Sequence, residues 1–132
     1  MDAATKAFVR ARAGNRCEYC RLRQVHVGFA HHVEHIIAKQ HGGDDDPDNL
    51  ALCCARCNAF KGPNLSGIDP ETGQHVALFN PRRDEWTEHF TFRRIRLVGL
   101  TPIGRATVVV LGVNETRRLE IRALLLSEGE LP

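Results

Sequence analysis

Residues 3–13 (Ala-Ala-Thr-Lys-Ala-Phe-Val-Arg-Ala-Arg-Ala) are rich in helix formers, and Gly14-Asn15 supplies a stop, so the chain is expected to open with a helix. From His31 to Ile37 apolar and polar positions alternate and some are β-branched, which predicts a strand. His41-Gly42-Gly43 and the following Asp run with Pro47 read as a loop. Residues 49–53 predict a short second strand, and 55–61 a short helix ended by Gly62-Pro63. Past residue 63 the pattern changes. Residues 69–73 carry turn chemistry, and 76–79 and 88–97 read as strands, the latter through Phe90, Phe92, Ile95 and Leu97. Thr101-Pro102 is an N-cap followed by Pro at the first helical position, which favours a helix over 102–111 despite Gly104. Asn114 can cap a last helix with Leu119, Arg122, Ala123 and Leu126 on one stripe.

The 132 residues are 42% hydrophobic and 26% charged, an ordinary globular composition of one-domain length. The longest apolar run, Val108 to Leu111, is far short of the roughly 18 residues that span a bilayer. No apolar segment follows the basic residue near the N-terminus, so a signal peptide is not expected and the cytoplasm is the default compartment. The net charge of +2 says little by itself. Its distribution says more: residues 1–39 and 81–105 are basic, while acids concentrate in Asp44-Asp45-Asp46 and Asp48. Most of the cations are Arg, whose planar fork suits phosphate.

Cys17-Glu18-Tyr19-Cys20 and Cys54-Ala55-Arg56-Cys57 are two CxxC pairs. Two residues between thiolates let one tight turn aim both sulfurs at one metal, and two such turns complete a tetrahedral zinc site. A redox pair would want a thioredoxin-like βαβ context, which the pattern does not supply. Cys53 reads as a small buried residue. The expected architecture is therefore α+β: a zinc-stapled ββα core over about 14–65, with an N-terminal helix and an extension over about 66–132 of a hairpin plus helices, all in a single domain over 1–132. So small a core leans on its metal for folding energy.

Between the knuckles lies His32-Val33-Glu34-His35. In a flat strand His32 and Glu34 share one face and His35 takes the other. For Glu34 and His35 to meet one substrate the backbone must turn irregular near 34–36. The run His32-Val33-Glu34-His35-Ile36, Gly42-Gly43, Asp48-Asn49-Leu50, Cys54-Ala55-Arg56-Cys57-Asn58 and Lys61-Gly62 resembles the HNH endonucleases, in the branch with a four-cysteine zinc site and a ββα-metal, treble-clef-like fold. Gly67 to Gly73, Leu78 to Arg82, Trp86, His89 and Phe90 are similar to the extension of small stand-alone bacterial HNH proteins.

That resemblance implies His35 as the general base that activates water, and Glu34 and Asn58 as ligands of a catalytic divalent cation. It implies Asn49 as the residue that holds the loop against the base, and His32 as an occasional helper at the metal or phosphate. Glu34 stands where Asp is usual, and Asn58 where the name-giving pattern has His, which favours Mg²⁺ or Mn²⁺. The activity implied is metal-dependent hydrolysis of phosphodiester bonds in DNA, with RNA as a second substrate class. Lys61, Arg82, Arg83, Arg93 and Arg94 are the candidate phosphate contacts. A membrane partner is not expected, and a double-strand cut would need two sites or two visits, which leaves room for a homodimer. The competing class is a non-catalytic zinc module that binds nucleic acid or protein.

Overall fold

A computed structural model describes residues 1–130; Leu131 and Pro132, the last positions of the expected 1–132 domain, lie outside the described residues. Its secondary structure is α+β, as the sequence pattern predicts, with helices interspersed among two-stranded antiparallel pairs. The chain forms two compact units: Met1–Leu65 with Asn80–Asp84, and Ser66–Phe79 with the residues from Glu85 onward.

In the first unit α1 (Ala3–Ala13) starts where Asp2 accepts a hydrogen bond from the Thr5 amide at 2.7 Å. It stops at Gly14, whose left-handed φ of 62° turns its amide back onto the Arg10 and Ala11 carbonyls. Val9 on this helix is fully buried against Leu50 and Leu52 of β2 (Leu50–Cys53), with Ala13 and Val33 at the margin. β1 (His32–His35) pairs antiparallel with β2, His32 opposite Cys53 and His35 opposite Leu50. α2 (Ala55–Lys61) follows β2 after one residue and packs on β1, which completes a β-β-α unit. The strand expected to run to Ile37 stops at His35, and the backbone bends at Ile36 and Ile37.

The loop from β1 to β2 is built from turns. Gly42 has φ 88°, and Gly43 lies so close to the Ile37 carbonyl that a Cβ there would sit 1.7 Å from its oxygen. The acids here act partly as local caps: Asp44 accepts from the Asp46 amide at 3.2 Å, and Asp46 from the Asp48 amide at 2.8 Å.

In the second unit β3 (Ser66–Ile68) pairs with β4 (His75–Ala77). The buried Asp69 organises the turn between them and accepts a bidentate bond from Arg105, both distances 2.9 Å. α3 (Trp86–His89) is a single turn leading into β5 (Phe90–Arg93), which pairs with β6 (Arg96–Gly99). The expected strand over 88–97 is thus a hairpin, folded at Arg94, whose φ is 53°. α4 (Pro102–Val110) has the expected Thr101 cap. Gly104 weakens helix propensity but is required by packing, since a Cβ would lie 2.1 Å from the His89 carbonyl oxygen. α5 (Thr116–Ser127) has Glu115, not Asn114, at its N-cap position, with no side-chain capping hydrogen bond. The Asn114 side chain instead clamps the Leu97 amide and carbonyl at 3.0 and 2.8 Å. The stripe also rotates: Arg118, Arg122 and Leu125 are buried, while Ala123 and Leu126 are exposed. Arg122 can turn inward because its guanidinium donates to the Ile95 and Val113 carbonyls.

Candidate functional site

Both CxxC segments are tight turns stitched by amide-to-sulfur hydrogen bonds, Cys20 N to Cys17 Sγ at 3.5 Å and Cys57 N to Cys54 Sγ at 3.4 Å. The second turn is also the N-terminus of α2, with Cys54 as its cap. The first is held to β2 by Glu18, whose amide donates to the Leu52 carbonyl at 2.9 Å and whose Oε2 accepts from the Leu52 amide at 2.8 Å. Ligand atoms of Cys17, Cys20, Cys54 and Cys57 all lie within 4.8 Å of one another, and all four residues are buried. Cys20 and Cys54 Sγ are 3.7 Å apart. A tetrahedron of ~2.3 Å zinc–sulfur bonds has edges of ~3.8 Å, so the donor set fits such an ion.

Thiols crowded this way cannot all ionise unaided. Burial pushes Cys17 up, yet hydrogen bonds from the surrounding cysteines hold it well below the ordinary thiol value. Cys57 is held well above that value, first by its contact with Cys17 and then by the other sulfurs and burial. A central dication removes that conflict.

His35 ends β1 and is half-buried. Its Nε2 lies 2.7 Å from Asp45 Oδ1. That contact, then the terminal amine 3.3 Å from Oδ2, and Lys39, hold the Asp45 carboxyl down to about 2. An ionised carboxylate only accepts, so Nε2 is the donor in this contact, and a ring that carries one proton would keep its lone pair on Nδ1. Asp45 is a functional candidate that sequence reasoning missed. It is one acid in a run of them, and only the turn geometry singles it out.

Asn49 ties the loop to the end of β1. Its Oδ1 accepts from the Ile37 amide at 2.9 Å, and Nδ2 donates to the Ile37 and Asp44 carbonyls at 3.0 and 2.9 Å. Its own carbonyl accepts from the Ile36 amide at 2.8 Å. Asn58 follows Cys57 on α2 and is half-buried, on the helix that packs against β1. His32 is exposed at the start of β1.

Glu34 and Lys61 point inward. Glu34 is 7% exposed; Oε1 accepts from the Tyr19 hydroxyl at 2.5 Å, and Oε2 lies 3.3 Å from Lys61 Nζ. Burial raises the Glu34 carboxyl above its usual value, an effect opposed by Lys61 and Tyr19. Lys61 is 2% exposed, so the phosphate contact expected of it is not available: its ammonium is turned into the unit. Both Glu34 oxygens are thus engaged, and one of them faces a cation.

Arg82 forms an ion pair with Glu18, and Arg83 is exposed. Both line an open groove of about 610 Å³ that also carries Asn49, Asp44, Asp46 and Asp48, so its charge is mixed. Arg93 and Arg94 are exposed at the β5–β6 turn of the other unit.

Residues 17–63, the span of this β-β-α unit and its thiolate cluster, match the family model described as HNH endonuclease. This segment belongs to the HNH family. Over 120 residues the chain is also 30% identical to the Septu protein PtuB of Bacillus thuringiensis, an alignment covering 86% of this chain and 42% of that protein. The chain therefore spans about two fifths of the length of that relative. No solved structure matches the chain. No helix among the described residues is long and apolar enough to cross a membrane.

Proposed function

We propose that the protein is an endonuclease that hydrolyses phosphodiester bonds in DNA, with His35 as general base. The observation that carries this reading is the Asp45–His35 hydrogen bond at the end of β1, within the HNH segment. A water that attacks phosphorus must lose a proton as the P–O bond to the leaving oxygen breaks. An imidazole with Nδ1 free and Nε2 anchored is suited to take it. Asn49 keeps the loop bearing Asp45 against the strand end, so the acceptor stays in place. The four cysteines hold a structural Zn²⁺, which as a closed tetrathiolate has no open position and fixes α2 against β1 instead of acting on substrate.

The family likeness implies dependence on Mg²⁺ or Mn²⁺, and that dependence is part of the proposal. Arg83, Arg93 and Arg94 are the exposed candidates for phosphate contact, and Arg82 lines the same groove as Arg83. A binding module without activity would keep the thiolate cluster but has no use for an imidazole oriented by a carboxylate. The test is incubation of the full chain with single-stranded DNA, duplex DNA and RNA in Mg²⁺ or Mn²⁺. Cleavage of DNA is expected; inertness toward all three substrates in both metals would favour the binding module.

A further inference from the structure

Tyr19, Glu34 and Lys61 form one continuous buried network. Tyr19 lies between the cysteines of the first knuckle, Glu34 on β1, and Lys61 at the end of the helix that carries Cys57 and Asn58. The Lys61 ammonium has three protons and three acceptors: Glu34 Oε2 at 3.3 Å, the Ile36 carbonyl at 3.0 Å and the His35 carbonyl at 3.4 Å. Two of these are the backbone of the proposed base and of the residue after it, where the strand ends. Glu34 is what makes this arrangement affordable, since an ammonium this deeply buried needs a counter-charge. A dication bound to the same carboxylate would meet Lys61 across it, and the like charges would repel.

We infer that Glu34 is a positioning residue and not a ligand of the catalytic cation: with Tyr19 and Lys61 it links both cysteine knuckles to the backbone of His35. The catalytic part of this inference rests on the proposed nuclease activity; the structural part does not.

Three full-length variants test it: Glu34→Gln, Lys61→Met and the double variant. Each single change strands one buried charge, and the double change strands neither. Each single variant is expected to melt at least about 5 °C below wild type, and the double variant to recover most of that loss and to cut faster than either single one. The Mn²⁺ concentration for half-maximal cleavage should stay within about twofold of wild type in the double variant and in Tyr19→Phe, a milder change that keeps the ion pair. Two results would overturn the inference. One is a double variant that melts at the sum of the single losses. The other is a rise of about tenfold or more in the Mn²⁺ requirement whenever Glu34 is replaced, with the melting midpoint unchanged. If wild type cuts no nucleic acid, the nuclease reading fails, while the melting midpoints still decide whether the network exists.

Discussion

In the proposed mechanism Asp45 accepts from Nε2 of His35 and so leaves Nδ1 to take the proton of water. Asp45→Asn places an amide where a carboxylate fixed the tautomer, and single-turnover cleavage should slow by about tenfold or more with little change in substrate affinity. A rate equal to wild type would show that the contact does not orient the base. Because its folded pKa is depressed to about 2, Asp45 keeps this contact at all pH values above the ordinary Asp range and loses it only as pH falls toward 2. The acid limb of the activity profile should therefore not belong to Asp45. At this scale the thiolates were legible, because CxxC spacing is set by the geometry of one turn and one metal. Asp45 was not, since four nearby acids offer no register until Gly42, Gly43 and Asn49 fold the loop. Lys61 was also hidden: a lysine at a helix end defaults to solvent, and its inward turn depends on Glu34 and Tyr19 from two other segments.

Among the elements, α1, β2, α2 and α4 followed from caps, stops and apolar spacing close to their observed bounds. The 88–97 segment misled because Phe90 and Phe92, and then Ile95 and Leu97, each alternate as in a strand; the parity breaks between Phe92 and Ile95, where the chain folds back at Arg94. β3 was missed because Ser66-Gly67-Ile68 has little strand propensity, and Gly67 is there for closeness: a Cβ would lie 2.6 Å from Val110 Cγ2. The α5 stripe misled because Arg118 and Arg122 are buried beside Leu125, their guanidinium groups held by backbone carbonyls. In the second unit the Asp69–Arg105 pair joins the β3–β4 turn to α4. The hydrogen bond from Arg105 is the main cause of the Asp69 carboxyl lying far below the usual range. A depressed carboxylate stabilises above its unfolded pKa, near 3.9, and this contribution is lost as pH falls below that value toward the folded pKa. Asp69→Asn should lower the melting midpoint at neutral pH, and the gap from wild type should narrow between about pH 4 and pH 2. A gap independent of pH would show that the ion pair is not its source.

For the molecule as a whole, a Zn²⁺ on the four cysteines would add folding energy to the first unit, whose buried core around Val9, Leu50 and Leu52 is small. The purified chain is expected to carry one Zn²⁺, measured by elemental analysis. Chelation or Cys57→Ser should abolish the cooperative melting of that unit; a metal-free chain with an unchanged midpoint would contradict the structural role. Nucleic-acid binding should weaken with salt, and replacing Arg83, Arg93 or Arg94 by Ala should each reduce the slope of log affinity against log salt by about 1 if that residue neutralises a phosphate. An unchanged slope would remove that residue from the interface. In the proposed mechanism an oriented imidazole on a thiolate-clamped β-β-α unit cuts phosphodiester bonds. The most direct measurement compares plasmid nicking by wild type and His35→Ala at equal zinc content and equal melting midpoint. Wild type is expected to nick in Mg²⁺ or Mn²⁺ and the variant to be slower by about 10²–10⁴-fold; equal nicking by the two proteins would show that His35 is not the base.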